Sequence, residues 1–156
     1  MKGDALIIEM LNDALIDELM AINQYILHSE IFSNWGYEKL GAMEKGLARA
    51  EMGHAERLIE RIVFLEGMPN MTNYRKLNIG EKTPDMLASD LKLEMGAVDR
   101  YRKIAETAFS KGDKVTFELA SSLLKDEEDH VNTQEGERDM IVDMGLQIYL
   151  STKVEA

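Results

Sequence analysis

The sequence predicts an all-α fold: a bundle of four long helices arranged as two hairpins, joined by a long crossover, with one short helix at the C-terminus. Three observations predict it. Apolar residues recur at spacings of three and four along four stretches of roughly 30 residues each, the period of a helix buried on one side. Gly36, Gly67, Gly112 and Gly145 stand where those stretches stop. With only 2 prolines and 6% aromatic residues, little else interrupts the pattern.

The first stretch runs from about Asp4 to Asn34, and its inward stripe reads Ile7, Leu11, Leu15, Glu18, Ile22, Tyr25, Ser29, Phe32. The second runs from about Glu38 to Glu66, with Leu40, Met43, Leu47, Glu51, His54, Leu58, Ile62 and Leu65 inward. Gly67 is the residue expected to end it, ahead of Met68-Pro69. Met68–Lys82 has no period and reads as a crossover loop, with Met71, Tyr74, Leu77 and Ile79 as expected apolar anchors. Thr83-Pro84-Asp85 reads as a cap followed by proline at the first helical position. The third helix then continues to about Lys111, placing Leu87, Leu91, Glu94, Val98, Tyr101, Ala105 and Ala108 inward. Asp113 is positioned to cap the fourth, which runs to about Met144 with Thr116, Ala120, Leu123, Glu127, His130 and Gln134 inward. Leu146–Lys153 has room for one short helix. The whole chain, 1–156, is expected to form a single domain, since roughly 150 residues bury one adequate core.

Composition narrows the function classes. There are no cysteines, which excludes disulfides, thiolate zinc sites and iron–sulfur clusters and suits a reducing cytoplasm. An acid and polar residues interrupt MKGDALIIEM, so a signal peptide is not expected. No stretch approaches the ~20 apolar residues of a membrane span. The formal charge of −11, from 29 acids and 18 bases, disfavours nucleic acid and anionic lipid as partners and favours cations.

The four stripes are apolar except near their middles, where each carries a glutamate: Glu18, Glu51, Glu94 and Glu127. On the second and fourth helices the glutamate opens a Glu-x-x-His pattern that adds His54 and His130. Residues three apart share a helix face, so each of these helices offers a carboxylate and an imidazole to one point. The positions also repeat. The separation is 51 − 18 = 33 in one half and 127 − 94 = 33 in the other, and 94 − 18, 127 − 51 and 130 − 54 all equal 76. A helical hairpin is therefore duplicated with its polar residues in register.

Four unpaired core carboxylates would cost several kcal/mol each, and no matching set of inward arginines or lysines is visible. Two divalent cations close the charge. Carboxylate with imidazole suits iron or manganese. Glu51 and Glu127 read as bridges between the ions because each comes with its own histidine, leaving Glu18 and Glu94 as terminal ligands. This ligand set is that of ferritin-like di-iron bundles in general.

The sequence also resembles the bacterioferritin family over essentially its whole length. The resemblance lies in MKGD, AINQYILH (Ala21–His28), Asn34-Trp35-Gly36, Glu51-Met52-x-His54-Ala55 and IERIVFLEGMPN (Ile59–Asn70). KLNIGE (Lys76–Glu81), DEEDH (Asp126–His130) and MGLQIYL (Met144–Leu150) extend it. The resemblance implies a ferritin-like bundle whose di-iron ferroxidase centre is Glu18, Glu51, His54, Glu94, Glu127 and His130, oxidising ferrous iron with dioxygen or peroxide. It implies that Met52 is an axial ligand of haem b, paired with the same residue of a two-fold-related subunit. It further implies a hollow, cytoplasmic shell of twenty-four subunits that stores iron as a mineral, with haem assisting iron release and a small ferredoxin as a possible electron donor. Helical geometry is compatible with an outward Met52, which lies about 160° around the helix from His54.

Other residues carry separate expectations. His28 is expected at the surface or an interface, Trp35 as a packing anchor, and Tyr25 in the core, with a redox role beside the metal pair as the alternative. Gly46, Leu47 and Ala50 stand where some family members place an added histidine and acid, and Thr133 where some have an aromatic residue. Three rival readings remain: a peroxide-detoxifying or oxygenase di-iron protein without a mineral, a haem-carrying shell subunit for electron transfer alone, and a DNA-protecting mini-ferritin. Assembly size separates the first from storage. The complete six-residue set within one chain argues against the other two.

Overall fold

The structure is a computed structural model that describes residues 1–155. It contains α1 (Ala5–Asn34), α2 (Glu38–Phe64), α3 (Thr83–Ser110), α4 (Lys114–Met144) and α5 (Leu146–Ser151). The four long helices form a bundle in which α1 pairs with α2 and α3 with α4, and the hairpins join through α1 on α3 and α2 on α4. Tyr25 meets Glu94 while Tyr101 meets Glu18, so α1 and α3 run antiparallel. The crossover therefore travels the length of the bundle.

The predicted stripes are the buried faces. Every residue of the α1 stripe is buried, and so is all of the α2 stripe except Met43, which is half-buried. Val98 and His130 are likewise half-buried. Apolar clusters fill the bundle on both sides of its polar middle, one around Leu11, Leu58, Ile104 and Leu123, the other around Phe32, Leu40, Met86 and Tyr149. Asp4 caps α1 by accepting from the amides of Leu6 and Ile7, at 2.9 and 3.2 Å. Asp113 caps α4 through the Thr116 amide at 3.0 Å, as expected. The α5 helix stops at Ser151, short of Lys153, and is held to α4 by the Tyr149 hydroxyl and Lys153 ammonium on Glu137.

Several expectations need correction. Thr83 does not cap α3: Lys82 holds that position, and Thr83 is the buried first residue of the helix. The crossover is not anchored by its apolar residues. Met71, Tyr74 and Ile79 are exposed and only Leu77 is half-buried. Polar contacts tie the segment down instead: Asn12 donates to Met68 O and accepts from the Asn70 amide, and Arg75 pairs with Asp13 and Asp17. His28 is not at the surface but completely buried, because Asp90 on α3 faces it. The bundle also holds an inward arginine, Arg61, whose guanidinium lies 2.7 Å from Asp113. It serves the helix end and makes no bond to the central carboxylates. Trp35 does pack, edge-on against Phe32, while remaining 44% exposed.

The end of α2 is also more demanding than its glycine suggested. The Gly67 amide donates to Ile62 O at 2.9 Å and the Glu66 amide to Val63 O at 3.0 Å, the paired bonds of a Schellman cap. At the ends of α1 and α3 the corresponding left-handed residues are Gly36 and Gly112, but here it is Glu66, at φ 63°. Gly67 serves close packing instead, since a Cβ there would lie 2.7 Å from Ile8 Cγ2. A left-handed non-glycine residue costs about 1–2 kcal/mol, and the exposed pairing of Glu66 with the N-terminal ammonium returns little of that. Glu66→Gly is expected to stabilise the fold by about 1 kcal/mol and raise the thermal midpoint by about 2–4 °C, read by differential scanning calorimetry.

Candidate metal centre

The six sequence-predicted residues converge at mid-height, one carboxylate from each long helix and one imidazole each from α2 and α4. Glu18, Glu51, His54, Glu94 and Glu127 are 4% exposed or less. Helical register brings them together: Glu18 and Glu94 sit on antiparallel α1 and α3, and the Glu-x-x-His faces of α2 and α4 meet head to tail.

Their donor atoms fall into two overlapping groups able to hold a metal ion. Glu18, Glu51, His54 and Glu127 make one, and Glu51, Glu94, Glu127 and His130 the other. Glu51 and Glu127 belong to both, the arrangement the sequence assigned to bridging carboxylates. His54 Nδ1 lies 2.9 Å from Glu51 Oε2, 3.1 Å from Glu127 Oε1 and 3.6 Å from Glu18 Oε1. His130 Nδ1 lies 3.0 Å from Glu51 Oε1, 3.2 Å from Glu127 Oε2 and 3.6 Å from Glu94 Oε1. The two halves are near copies, and the imidazoles stack at 5.9 Å. Glu51 and Glu127 each turn one oxygen to each half.

Sequence reasoning missed three contributors. Tyr101 donates its hydroxyl to Glu18, as Tyr25 does to Glu94. The signal was present, because 101 − 25 = 76, the same offset as the carboxylates. Gln134 Nε2 donates to the Tyr25 hydroxyl at 2.9 Å, whereas its repeat position, 134 − 76 = 58, is Leu58. Asp126 Oδ2 lies 3.3 Å from His54 Nε2, and its repeat position, 126 − 76 = 50, is Ala50. These two departures make the halves chemically unequal: among the described residues only His54 has a carboxylate on its outward nitrogen, the kind of contact that orients a ligating imidazole.

Without ions, the centre balances its charge with protons. Burial, then Glu51, pushes the Glu18 carboxyl well above the ordinary range. Burial does the same to Glu94, assisted by the neighbouring carboxylates against the opposing pull of His130. Burial also works against ionised Glu51 and Glu127, but hydrogen bonds from the two imidazoles and the neighbouring carboxyls outweigh it, holding both below the ordinary range. Burial disfavours charged imidazoles too; the surrounding carboxylates win, lifting His54 and His130 to about 12. Two imidazolium ions thus lie against Glu51 and Glu127, while Glu18 and Glu94 hold protons more tightly than free carboxyls do.

The centre opens in two directions. A cleft of about 220 Å³ between α1, α3 and the crossover reaches Glu18, Glu51, Glu94 and Glu127, with Asp17, Arg75 and Arg100 in its wall. On the far side, a recess of about 390 Å³ exposes the edges of His54 and His130 beside Ala50, Gly53, Asp126 and Asp129. Met52 lies outside this centre, 49% exposed on the outer face of α2. Gly46, Leu47 and Ala50 have no side-chain donor to offer the recess; Gly46 is exposed, Ala50 half-buried and Leu47 buried in the core.

Comparison with known proteins places this bundle. The ferritin-like domain model matches residues 8–138. The chain is 41% identical over 149 residues to the bacterioferritin of Brucella melitensis, covering 96% of this chain and 92% of that protein. The chain belongs to the bacterioferritin family. Bacterioferritins of Streptomyces coelicolor and Rhodobacter capsulatus are 37% and 42% identical, over 99% and 85% of this chain and 93% and 82% of theirs. Iron storage is the function that membership of the bacterioferritin family supports. No described helix is long and apolar enough to cross a membrane.

The proton inventory gives a direct test. Glu18, Glu94, His54 and His130 all bind protons more tightly than in free solution, and each must release one before it can ligate a cation. Anaerobic loading of two divalent ions at neutral pH is expected to release at least the two imidazolium protons per pair, with Glu18 and Glu94 adding to that release. Affinity is expected to weaken as the pH falls and strengthen as it rises. Titration calorimetry in buffers of different protonation enthalpy reads the count, and release near zero would contradict the protonation pattern.

Proposed function

We propose that the chain, as one ferritin-like domain, is the subunit of an iron-storing ferroxidase. Two ferrous ions bind as substrate to Glu18, Glu51, His54, Glu94, Glu127 and His130, with Glu51 and Glu127 shared between them. They lose one electron each, reducing dioxygen to peroxide or peroxide to water, and leave as ferric product for storage inside a shell of like subunits. The observation that carries this reading is the pair of donor groups with two carboxylates in common. Two ions held this way, about 4 Å apart, deliver two electrons to one small oxidant.

The surrounding residues have defined parts. The opposed clefts offer ferrous iron a route in beside Glu18 and a route out past His130. Tyr25 and Tyr101 hold Glu94 and Glu18 in place through their hydroxyls, and Asp126 holds His54. The protons displaced on loading leave by the same openings. The acidic surface, at −11 overall, attracts the cationic substrate and repels the anions that would chelate it.

Haem b fits the outer face of α2. Met52 presents an exposed thioether there, and Ile59, two turns on and on the same side of the helix, is half-buried. A two-fold contact presents the same residue twice, so one Met52 from each subunit would hold the haem. When bound, haem supplies one-electron transfer, which serves reduction and release of stored iron.

Stopped-flow mixing of the ferrous-loaded shell with dioxygen or peroxide tests the centre. A fast phase saturating at two irons per subunit is expected, reduced at least tenfold by Glu127→Ala or Glu94→Ala. If neither oxidant gives a fast phase, the centre is not the site of oxidation. Met52→Leu is expected to abolish the haem absorption bands while leaving that fast phase within about twofold of the original. Stoichiometric haem in the variant would remove Met52 as a ligand.

A further inference from the structure

A second cluster of buried titratable groups lies outside the central six. Gln24 and His28 on α1, Glu44 on α2 and Asp90 on α3 are all 0% exposed. Gln24 Nε2 donates to Asp90 Oδ1 at 2.7 Å, and His28 Nδ1 lies 2.9 Å from Asp90 Oδ2. Glu44 is different: neither of its oxygens has a hydrogen-bond partner, and the Gln24 carboxamide oxygen has none either. Among the described residues, no ammonium or guanidinium pairs with Glu44 or Asp90.

Burial, then the neighbouring Asp90, pushes the Glu44 carboxyl well above the ordinary range, so it holds a proton more tightly than a free carboxyl; a cation in place of that proton would pair with both of its unpartnered oxygens. One donor atom each from His28, Glu44 and Asp90 lies within 4.8 Å of the others. Donors at roughly 2.1 Å from a common ion stand up to about 4.2 Å apart, so a small inward movement of these side chains places all three on one cation. Two carboxylates and one neutral imidazole carry the charge that one divalent ion cancels. Protons on the cluster would balance the same charge but would leave the Gln24 oxygen unpartnered, whereas an ion would engage it.

We propose that His28, Glu44 and Asp90 form a separate mononuclear site for a divalent cation of the ferrous, manganous or zinc type, with the Gln24 carboxamide oxygen as a fourth donor. The oxygen and imidazole donors, without thiolate, set that class of ion. The site shares no residue with the paired centre and does not depend on the ferroxidase reading. It lies one turn from Glu94 along α3 and two turns from Glu51 along α2, about 6–10 Å along the bundle axis.

Anaerobic Co²⁺ titration of the metal-free shell, followed by crystals of the loaded protein measured at the cobalt absorption edge, tests the site. Wild-type protein is expected to show three anomalous peaks per subunit, two at the paired centre and one among His28, Glu44 and Asp90. Glu44→Gln is expected to lose the third peak and one bound equivalent while keeping the pair. A wild-type map with peaks only at the paired centre overturns the inference, as does a third peak that survives both Glu44→Gln and Asp90→Asn. The wild-type map is decisive even where a variant fails to assemble. A third peak without the central two would sink the paired-centre assignment and leave this one standing.

Discussion

Burying four carboxylates in the middle of a helical bundle is the constraint on which the rest of this structure depends. Such groups destabilise a core unless each finds a compensating charge within reach. Here the compensation is local and reversible. Two imidazoles that hold their protons tightly sit against Glu51 and Glu127, while Glu18 and Glu94, whose carboxyls are pushed up by burial, receive tyrosine hydroxyls. A cation bound there would displace protons that the carboxyls and imidazoles hold tightly. Tight apolar packing on either side, around Leu58 and Leu123 in one direction and Phe32 and Leu40 in the other, keeps the helices close enough for all six groups to meet.

The duplicated hairpin explains how so demanding an arrangement is encoded economically. An offset of 76 residues carries Glu18 to Glu94, Tyr25 to Tyr101, Glu51 to Glu127 and His54 to His130. Antiparallel packing of the two copies then crosses the supports: the tyrosine of each hairpin steadies the glutamate of the other. The repeat fails at Gln134 opposite Leu58 and at Asp126 opposite Ala50. Those failures matter chemically, since they give the two candidate ion positions different polarity and different holds on their histidines.

Away from the centre, the chain leaves large apolar side chains in water. Met52, Phe64, Tyr74, Met95 and Phe109 are all at least 49% exposed, and the crossover is tied down by Asn12, Asp13 and Asp17 rather than by its own apolar residues. Surfaces of this kind are covered by partners in proteins that assemble, which accords with the shell proposed for this subunit. The strained Glu66 turn lies at the start of the same crossover and lets α2 end tightly against α1, with Gly67 against Ile8.

Helix number, extent and buried faces were legible in the sequence because a period of 3.6 residues records one-sided burial directly. The central six were legible because a polar residue on an apolar stripe is conspicuous, and duplication made it conspicuous twice. Tyr101 was legible by the same offset but lay on a stripe where a tyrosine passes for core. What a single strand of sequence could not carry was who faces whom across helices. His28 reads as a surface residue until α3 brings Asp90 against it, and Glu44 reads as one acid among 29 until packing seals it from water. Arg61 finds Asp113, and Asp126 finds His54, only in three dimensions. Periodicity fixes which side of a helix is buried; the identity of the partner on that side is set by helix register and direction, which belong to the tertiary structure alone.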